Sequence, residues 1–362
     1  MNPHSNGLSC SPGTPALALE GECADPQRWD RFVDSHPDSR FCHLWGYRRA
    51  LEDAYDFNCV YLEIKKQGRL VGVFPSVLVK RHQQILLSQP FVEYGGPLCS
   101  QFTREDYVSL GEALIETARV RNCEGILIRG GVGAENLSAF KHCSRTVLQR
   151  HGELHLGRTT EDIWKHHLSQ KARNAVRSAS KSGLRCEIHR GYNAVQPPFY
   201  HLYLRSMKRL CVPPHSPRFF EALAAHLDER LVSCCVYQGK KALAVLLGGI
   251  TARRLHCIIL ASDERAWPLH PNDLIHWKLI KWALDQGIER LDLGSASSTK
   301  QLDFKRKWGA EMHDYAQLSI DVSGQLQTSE WSREHVFEKK IWNILPLWAS
   351  RIIGPSLRKR FS

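Results

Sequence analysis

The chain is missing several of the patterns by which a sequence usually declares its chemistry. It has twelve cysteines but no Cys-x-x-Cys pair, and Cys234 and Cys235 are adjacent, which is poor geometry for a mutual bridge. Cys59, Cys123 and Cys257 sit in apolar runs, where a free thiol behaves as a small hydrophobe, so a reducing compartment is expected. No recognised ligand set emerges from the eighteen histidines, His166-His167 and Cys211…His215 included, so a metal site is not expected. No Gly-x-Ser-x-Gly or comparable context assembles a nucleophilic triad. The longest apolar run, Ala242 to Ala252, stops at Arg253-Arg254, short of the roughly 20 residues of a membrane-spanning helix. Met1 to Ala24 is rich in Gly, Pro and Ser without a basic start, and reads as a flexible leader rather than a secretory signal.

Acidic residues are also in deficit. The 49 Lys/Arg exceed the 37 Asp/Glu, giving a net charge of +12 over 362 residues and a pI near 9.2. That predicts affinity for anions: nucleic acid, phosphorylated substrates or an anionic membrane surface. The excess is concentrated. Residues 164–190 hold seven Lys/Arg against one Glu, and residues 330–362 hold seven against three. The 43% hydrophobic share supports real cores, and the length suggests two of them.

The apolar period switches twice in the same order. Pro26 to Ser35 and Leu44 to Tyr55 read as helices. A meander follows over Val60–Ile64, Leu70–Val79 and Gln84–Ser88, then a helix over Thr103–Arg121 and a strand over Glu124–Arg129. Later come helices over Pro197–Leu210 and Pro217–Glu229. They lead to a second meander (Leu231–Tyr237, Lys240–Ile250, Arg254–Leu260), a helix over Asp273–Gln286 and a strand at Leu291–Leu293. This predicts an α+β fold of two tandem units, each a mixed, mostly antiparallel sheet flanked by helices. The expected boundaries are a leader over 1–24, units over 25–150 and 151–328, and a basic amphipathic tail over 329–362. In the tail Phe337, Ile341, Ile344, Leu345, Trp348 and Ile352 fall on one helical face among Lys and Arg. It either lies on an anionic membrane or packs on the units.

Four stretches invite a chemical reading. Tyr94-Gly95-Gly96-Pro97 forces irregular extended backbone, as at a ligand groove or a tight bend. Arg173, Arg177 and Lys181 lie four apart on one helix face with small residues behind them, a row able to track phosphates or simply a solvated face. The helix entry at Trp267–Asp273 lacks the glycines that let backbone wrap a pyrophosphate. From Glu289 to Ala310 a short strand with Asp292 opens into a small-residue loop at Gly294-Ser295. The loop leads to Asp303-Phe304-Lys305-Arg306-Lys307-Trp308, which ends at Gly309. There Lys305 is a candidate cation for an oxyanion or phosphate; Phe304 packs or stacks, and packing is the simpler reading of Trp308.

Tyr94-Gly95-Gly96-Pro97-Leu98, Arg173-Asn174-Ala175-Val176-Arg177 and Asp273-Leu274-Ile275-His276-Trp277 come in the order and spacing of a known family. With the run Asp292-Leu293-Gly294…Phe304-Lys305-Arg306-Lys307-Trp308-Gly309-Ala310, they make the chain resemble the FemAB-type aminoacyltransferases. The resemblance is closest to the FemAB-related proteins of exosortase/PEP-CTERM exopolysaccharide loci. It implies two tandem GNAT-like domains. It also implies acyl or aminoacyl transfer to an amine or hydroxyl of a cell-envelope polysaccharide or its precursor. Lys305 would act at the transition state, Arg173 and Arg177 would hold substrate phosphates, and Tyr94, Asp292, Ser295 and Phe304 would complete the substrate site. No metal or resident cofactor is implied. The donor, aminoacyl-tRNA or acyl-CoA, stays open, because no segment is long enough for the helical tRNA arm of many characterised members. Implied partners are an anionic or phosphorylated glycan or lipid-linked substrate, a tRNA donor and, through the tail, an anionic membrane. The implied location is the cytoplasm, at the inner face of the membrane. The competing readings are a CoA-dependent N-acetyltransferase and a non-catalytic protein that binds nucleic acid or another anion.

Overall fold

The structure, a computed structural model, describes residues 17–80, 82–130, 136, 143–157, 159–296, 298–326, 342 and 345–360. The first part of the chain runs β1 (Leu17–Glu22), α1 (Pro26–Ser35), α2 (Trp45–Tyr55), β2 (Asn58–Lys66), β3 (Arg69–Lys80) and β4 (Gln84–Ser88). It continues through β5 (Leu98–Cys99), α3 (Arg104–Val120) and β6 (Gly125–Arg129). The second part begins with β7 (Cys143–His155) and α4 (Thr160–Asp162), which widens into a π-helical turn over Ile163–His167. Then come α5 (Gln170–Lys181), β8 (Arg185–Arg190), α6 (Phe199–Arg209), α7 (Pro217–Leu227), β9 (Leu231–Gln238), β10 (Lys241–Thr251) and β11 (Arg254–Ser262). The last elements are α8 (Pro271–Asp285), β12 (Arg290–Ala296), α9 (Thr299–Arg306), β13 (Glu311–Asp321) and α10 (Leu347–Arg360).

The two halves repeat one plan. In each, three antiparallel strands are followed by a helix and a parallel strand: β2-β3-β4, α3, β6, then β9-β10-β11, α8, β12. Both parallel contacts last only three residues. Ile85–Leu87 meets Gly125–Leu127, and Arg254–His256 meets Arg290–Asp292. Beyond those points the paired strands diverge and leave room for side chains.

The units are not two separate sheets. β13 pairs with β6 on one side and β7 on the other, and β7 pairs in turn with β12. One sheet therefore runs across both units, and the expected boundary at 150/151 falls inside β7. Leu17 to Glu22, expected within a flexible leader, instead forms β1 on the edge of β2, where Leu17 and Leu19 pack on the first unit's core.

Strand residues alternate between two buried faces, as suits a sheet covered on both sides. On one face Val60, Leu62 and Phe74 meet Leu110 and Leu114 of α3, while Val232 and Leu246 meet Val176 of α5 and Leu279 of α8. On the other, Tyr61, Val77, Val245 and Leu247 share a single core with Trp29, Tyr47, Tyr203, Phe220 and Leu223. Helices from both units build that core, which fixes the units against each other.

Several local features follow from their own residues. Gln67 and Gly68 both take positive φ (53° and 72°) in the two-residue β2–β3 turn. Ser169 interrupts the helical stretch and caps α5 by accepting from the Ala172 N–H at 3.2 Å. Pro346 precedes α10 instead of kinking it. That helix packs on α6, and Gly354 lies so close to Pro214 that a Cβ would not fit. The tail residues Phe337, Ile341 and Ile344 lie outside the described residues.

Candidate active site

The site forms where the two units meet, at the ends of the diverging strands. Gly294, in left-handed backbone (φ 74°), turns β12 sharply, and its N–H donates to Asp292 Oδ1 at 2.8 Å. The next amide, Ser295 N–H, donates at 3.0 Å to Glu93 Oε1, which arrives from the loop after β4 of the first unit. Under this turn Lys305 of α9 is buried, and its ammonium donates to the Leu293 carbonyl. Of the residues singled out in the sequence, Asp292, Ser295 and Lys305 thus converge with the Glu93-Tyr94 loop.

The loop reaches this place because its glycines have no side chains. A Cβ on Gly96 would run into the Gly130 carbonyl, and one on Gly95 would stand 2.5 Å from Gln89 Cβ. The pair is a close-approach device that aims Glu93 and Tyr94 across the seam. Tyr94 is buried under the Arg40 guanidinium, 4.8 Å from its ring centre, and packs edge-on to His151 at 5.0 Å. Its hydroxyl has no hydrogen-bond partner among the described residues, and burial pushes the phenol far above its usual range.

Asp292 is fully buried. Oδ2 takes Arg40 Nε at 3.2 Å and faces His256 Nδ1 at 3.3 Å. Burial alone would raise its pKa, but His256, Arg40 and His151 outweigh burial and hold the carboxyl well below the ordinary carboxylate range. Glu153 of β7 is shared by three arginines, with Arg40 and Arg254 each at 3.5 Å and Arg290 at 3.4 Å. Arg254 is 3% exposed, and its Nε and Nη1 have no partner among the described residues. With His151 and His313 these groups line a cavity of about 270 Å³ beside Tyr94.

The acid-base character of the corner lies in Glu93 and Lys305. Burial raises the Glu93 carboxyl against the opposing pull of His256 and the Ser295 amide, and Oε2 is buried with no partner among the described residues. Burial lowers the Lys305 ammonium, with Cys257, Glu93 and Asp292 opposing the shift. A carboxylate and an ammonium that burial perturbs, held at one backbone turn, are candidates for a functional pair.

The remaining predicted residues make other contacts. Arg173 Nη1 donates to the Trp164, Lys165 and Leu168 carbonyls at 3.1, 3.0 and 2.8 Å, closing the turn before α5. Arg177 bonds Asn174 at 3.2 Å and sits 5.4 Å over the Trp164 ring. Neither guanidinium hydrogen-bonds or ion-pairs with Lys305, Tyr94, Asp292 or Ser295. Carboxylates are scarce around that helix, but the carbonyls of the π-helical turn supply partners for Arg173. Phe304 is half-buried against His276, and Trp308 is fully buried in the second unit's core. Arg40, Glu153, Arg254 and Glu93 were not singled out. Only Glu93 carried a local signal: a carboxylate inside an apolar run, directly before Tyr-Gly-Gly.

Residues 166–306 match the model of the acetyltransferase (GNAT) domain family. Among solved structures, FemX is similar with a TM-score of 0.68 and 13% identity, over 84% of this chain and 98% of that one. A tandem GNAT protein from the clavulanic acid biosynthesis pathway is similar with a TM-score of 0.54 and 10% identity, over 84% and 98% of the two chains. L-PGS from Bacillus licheniformis gives 0.51 and 14% identity, over 92% and 98%. No curated protein matches in sequence. The chain thus has a GNAT-type fold. More particularly, its two units and their shared sheet form the tandem arrangement seen in FemX, a fold of the FemAB type.

Proposed function

We propose that the protein transfers an acyl or aminoacyl group to an amine or hydroxyl of a cell-envelope polysaccharide or its precursor, and that transfer occurs at the Leu293–Ser295 turn. The observation that carries this reading is the meeting of Glu93 with Ser295 N–H above the buried Lys305 ammonium. An acyl transfer needs a base to take the nucleophile's proton and a fixed positive charge beside the oxyanion. Glu93 accepts the proton as the nitrogen or oxygen bonds to the acyl carbon. Lys305 stabilises the tetrahedral oxyanion, and its collapse expels the donor's leaving group, which takes up the proton. The arginine-lined cavity at Glu153 suits a phosphoryl or carboxylate group of the acceptor, since Arg254 retains unpartnered donors there. We also propose that α10 rests on an anionic membrane: Trp348 and Ile352 are 68% and 69% exposed, beside the exposed cations Arg351 and Arg360.

The N-terminus of α8 bears on the donor. Asp273 occupies its first turn, is nearly buried, and pairs with Lys307. A carboxylate already placed there opposes a pyrophosphate at that helix end, which favours a donor other than CoA.

The test is single-turnover transfer from acyl-CoA and from aminoacyl-tRNA to amine acceptors, with Lys305→Met and Glu93→Gln as variants. Removing a charge that acts on the oxyanion should cost about 10²–10³ in rate. Undiminished transfer by both variants would refute the assignment, and tight acetyl-CoA binding by calorimetry would favour the CoA-dependent acetyltransferase instead.

A further inference from the structure

A second cavity, of about 260 Å³, lies between α2, α6, α7 and β11, on the face where the two units share their core. Its walls are apolar: Tyr203, Phe219, Leu223 and Ile258 are among them. At roughly 30 Å³ per water-sized unit, the space amounts to about nine such units, enough for a medium-length alkyl chain. One wall is charged. Arg358, brought in by α10, lines the cavity with its guanidinium 5.6 Å from the Phe91 ring centre. Among the described residues its Nε is buried with no hydrogen-bond partner, and Nη1 makes a 3.5 Å contact with the Pro213 carbonyl. No carboxylate pairs with it among the described residues. The other polar groups of the wall are already engaged: the Tyr47 hydroxyl donates to the Pro90 carbonyl, the Tyr203 hydroxyl accepts from the His215 amide, and the buried His215 ring, which burial holds well below its usual range, bonds Tyr55 through Nδ1 at 2.6 Å. The cavity therefore joins an apolar interior to one uncompensated cation.

We propose that this cavity binds an amphiphile with an aliphatic chain and an anionic head, the chain against Phe219, Leu223 and Ile258 and the head against Arg358. Apolar walls reward a chain and give a polar ligand nothing to bond, while a guanidinium lacking a carboxylate rewards a carboxylate or phosphate head. Such a ligand also touches Phe91 and Val92, the two residues before Glu93. The site stands on this geometry alone and is independent of which group the Glu93–Lys305 corner transfers.

Isothermal titration of the full chain with decanoate, decyl phosphate and decanol tests it. The acids should bind saturably at one site, and each methylene added to the chain should tighten binding about fourfold. Decanol should bind at least about tenfold more weakly than the better acid, the scale of a charge-assisted hydrogen bond. Arg358→Gln should bring the acids to the decanol level, with unchanged melting confirming the fold. Val212→Trp, a half-buried wall position, should weaken all three ligands. The ratio of phosphate to carboxylate affinity identifies the head. Absence of saturable binding by either acid, or equal acid binding by wild type and Arg358→Gln, would overturn the proposal.

Discussion

Asp292→Asn removes one charge from the centre of the seam and changes little else in shape. The amide oxygen can still accept from Gly294, but the amide nitrogen then faces Arg40 Nε and His256, which sit 3.2 and 3.3 Å from the carboxylate oxygen it replaces. Arg40 is left buried, 8% exposed, with Glu153 at 3.5 Å as its one carboxylate among the described residues, beside the Asp38 and Ser39 carbonyls that Nη1 already bonds. Stripping one partner from a buried pair costs about 3–5 kcal/mol. With roughly 2.1 cal/mol/K per residue of unfolding entropy, a cooperative 362-residue chain should melt about 4–7 °C lower. Adding Arg40→Met removes the stranded cation, while Glu153 keeps Arg254 and Arg290. The double variant should therefore lose less than the sum of the singles, by about 0.5–3 kcal/mol. The sign with pH is set by the depressed carboxyl. Its stabilisation is complete above the unfolded value of about 3.9 and is lost as pH falls through the folded value. Asp292→Asn should thus flatten the most acidic limb of the stability curve. Calorimetry at neutral and acid pH is the assay. A D292N protein that melts with the wild type, or additive losses in the double variant, would refute the charge network as the element that fixes the turn.

Acid should also act through four buried histidines. Burial lowers His43 to about 3 and His151 and His276 to about 4, and holds His215 well below 6.5. Each folded pKa is below the unfolded one, so the stabilisation is present above about pH 6.5 and is lost as pH falls toward the folded values. Four such groups imply a slope approaching roughly 5 kcal/mol per pH unit near pH 5; denaturant midpoints that stay level from neutral pH to pH 5 would contradict it. At the tail, Arg351→Gln with Arg360→Gln should weaken flotation with anionic vesicles about 30-fold, at roughly 1 kcal/mol per basic residue. Trp348→Ser with Ile352→Ser should weaken it as well, and a wild-type chain that fails to float would remove the membrane contact.

The local architecture was legible because it is written in short-range pattern. The period-two runs need only neighbours in sequence and appear where their residues predict, and the Gln67-Gly68 turn and the Ser169 cap are local in the same way. The insertion of β13 between β6 and β7 was not legible, since strand order in a sheet is set by pairings that leave no mark on either strand alone. Arg173 shows the same limit in a charged residue. Its position on an exposed basic face suggests a ligand, and the carbonyls it also bonds lie in and just after a π-helical turn that periodicity does not reveal.

The site is the extreme case of that limit. Arg40 and Asp292 lie 252 residues apart, and Glu93 and Ser295 lie 202 apart. No window of sequence contains either pair, so Lys305 and Asp292 could be proposed singly while their companions could not. The seam also explains why two repeated units are needed. Each unit alone ends in diverging strands, β4 from β6 and β11 from β12. The second unit brings the Gly294 turn and Lys305, and the first brings Glu93, Tyr94 and Arg40. Joining the sheets through β7 and β13 holds the two contributions in register. A carboxylate and an ammonium proposed to act on the nucleophile and the oxyanion of one transfer need that register fixed to within a hydrogen bond's length, which a flexible linker between separate domains would not provide. The shared sheet and the helical core common to both units are therefore what makes the corner a site.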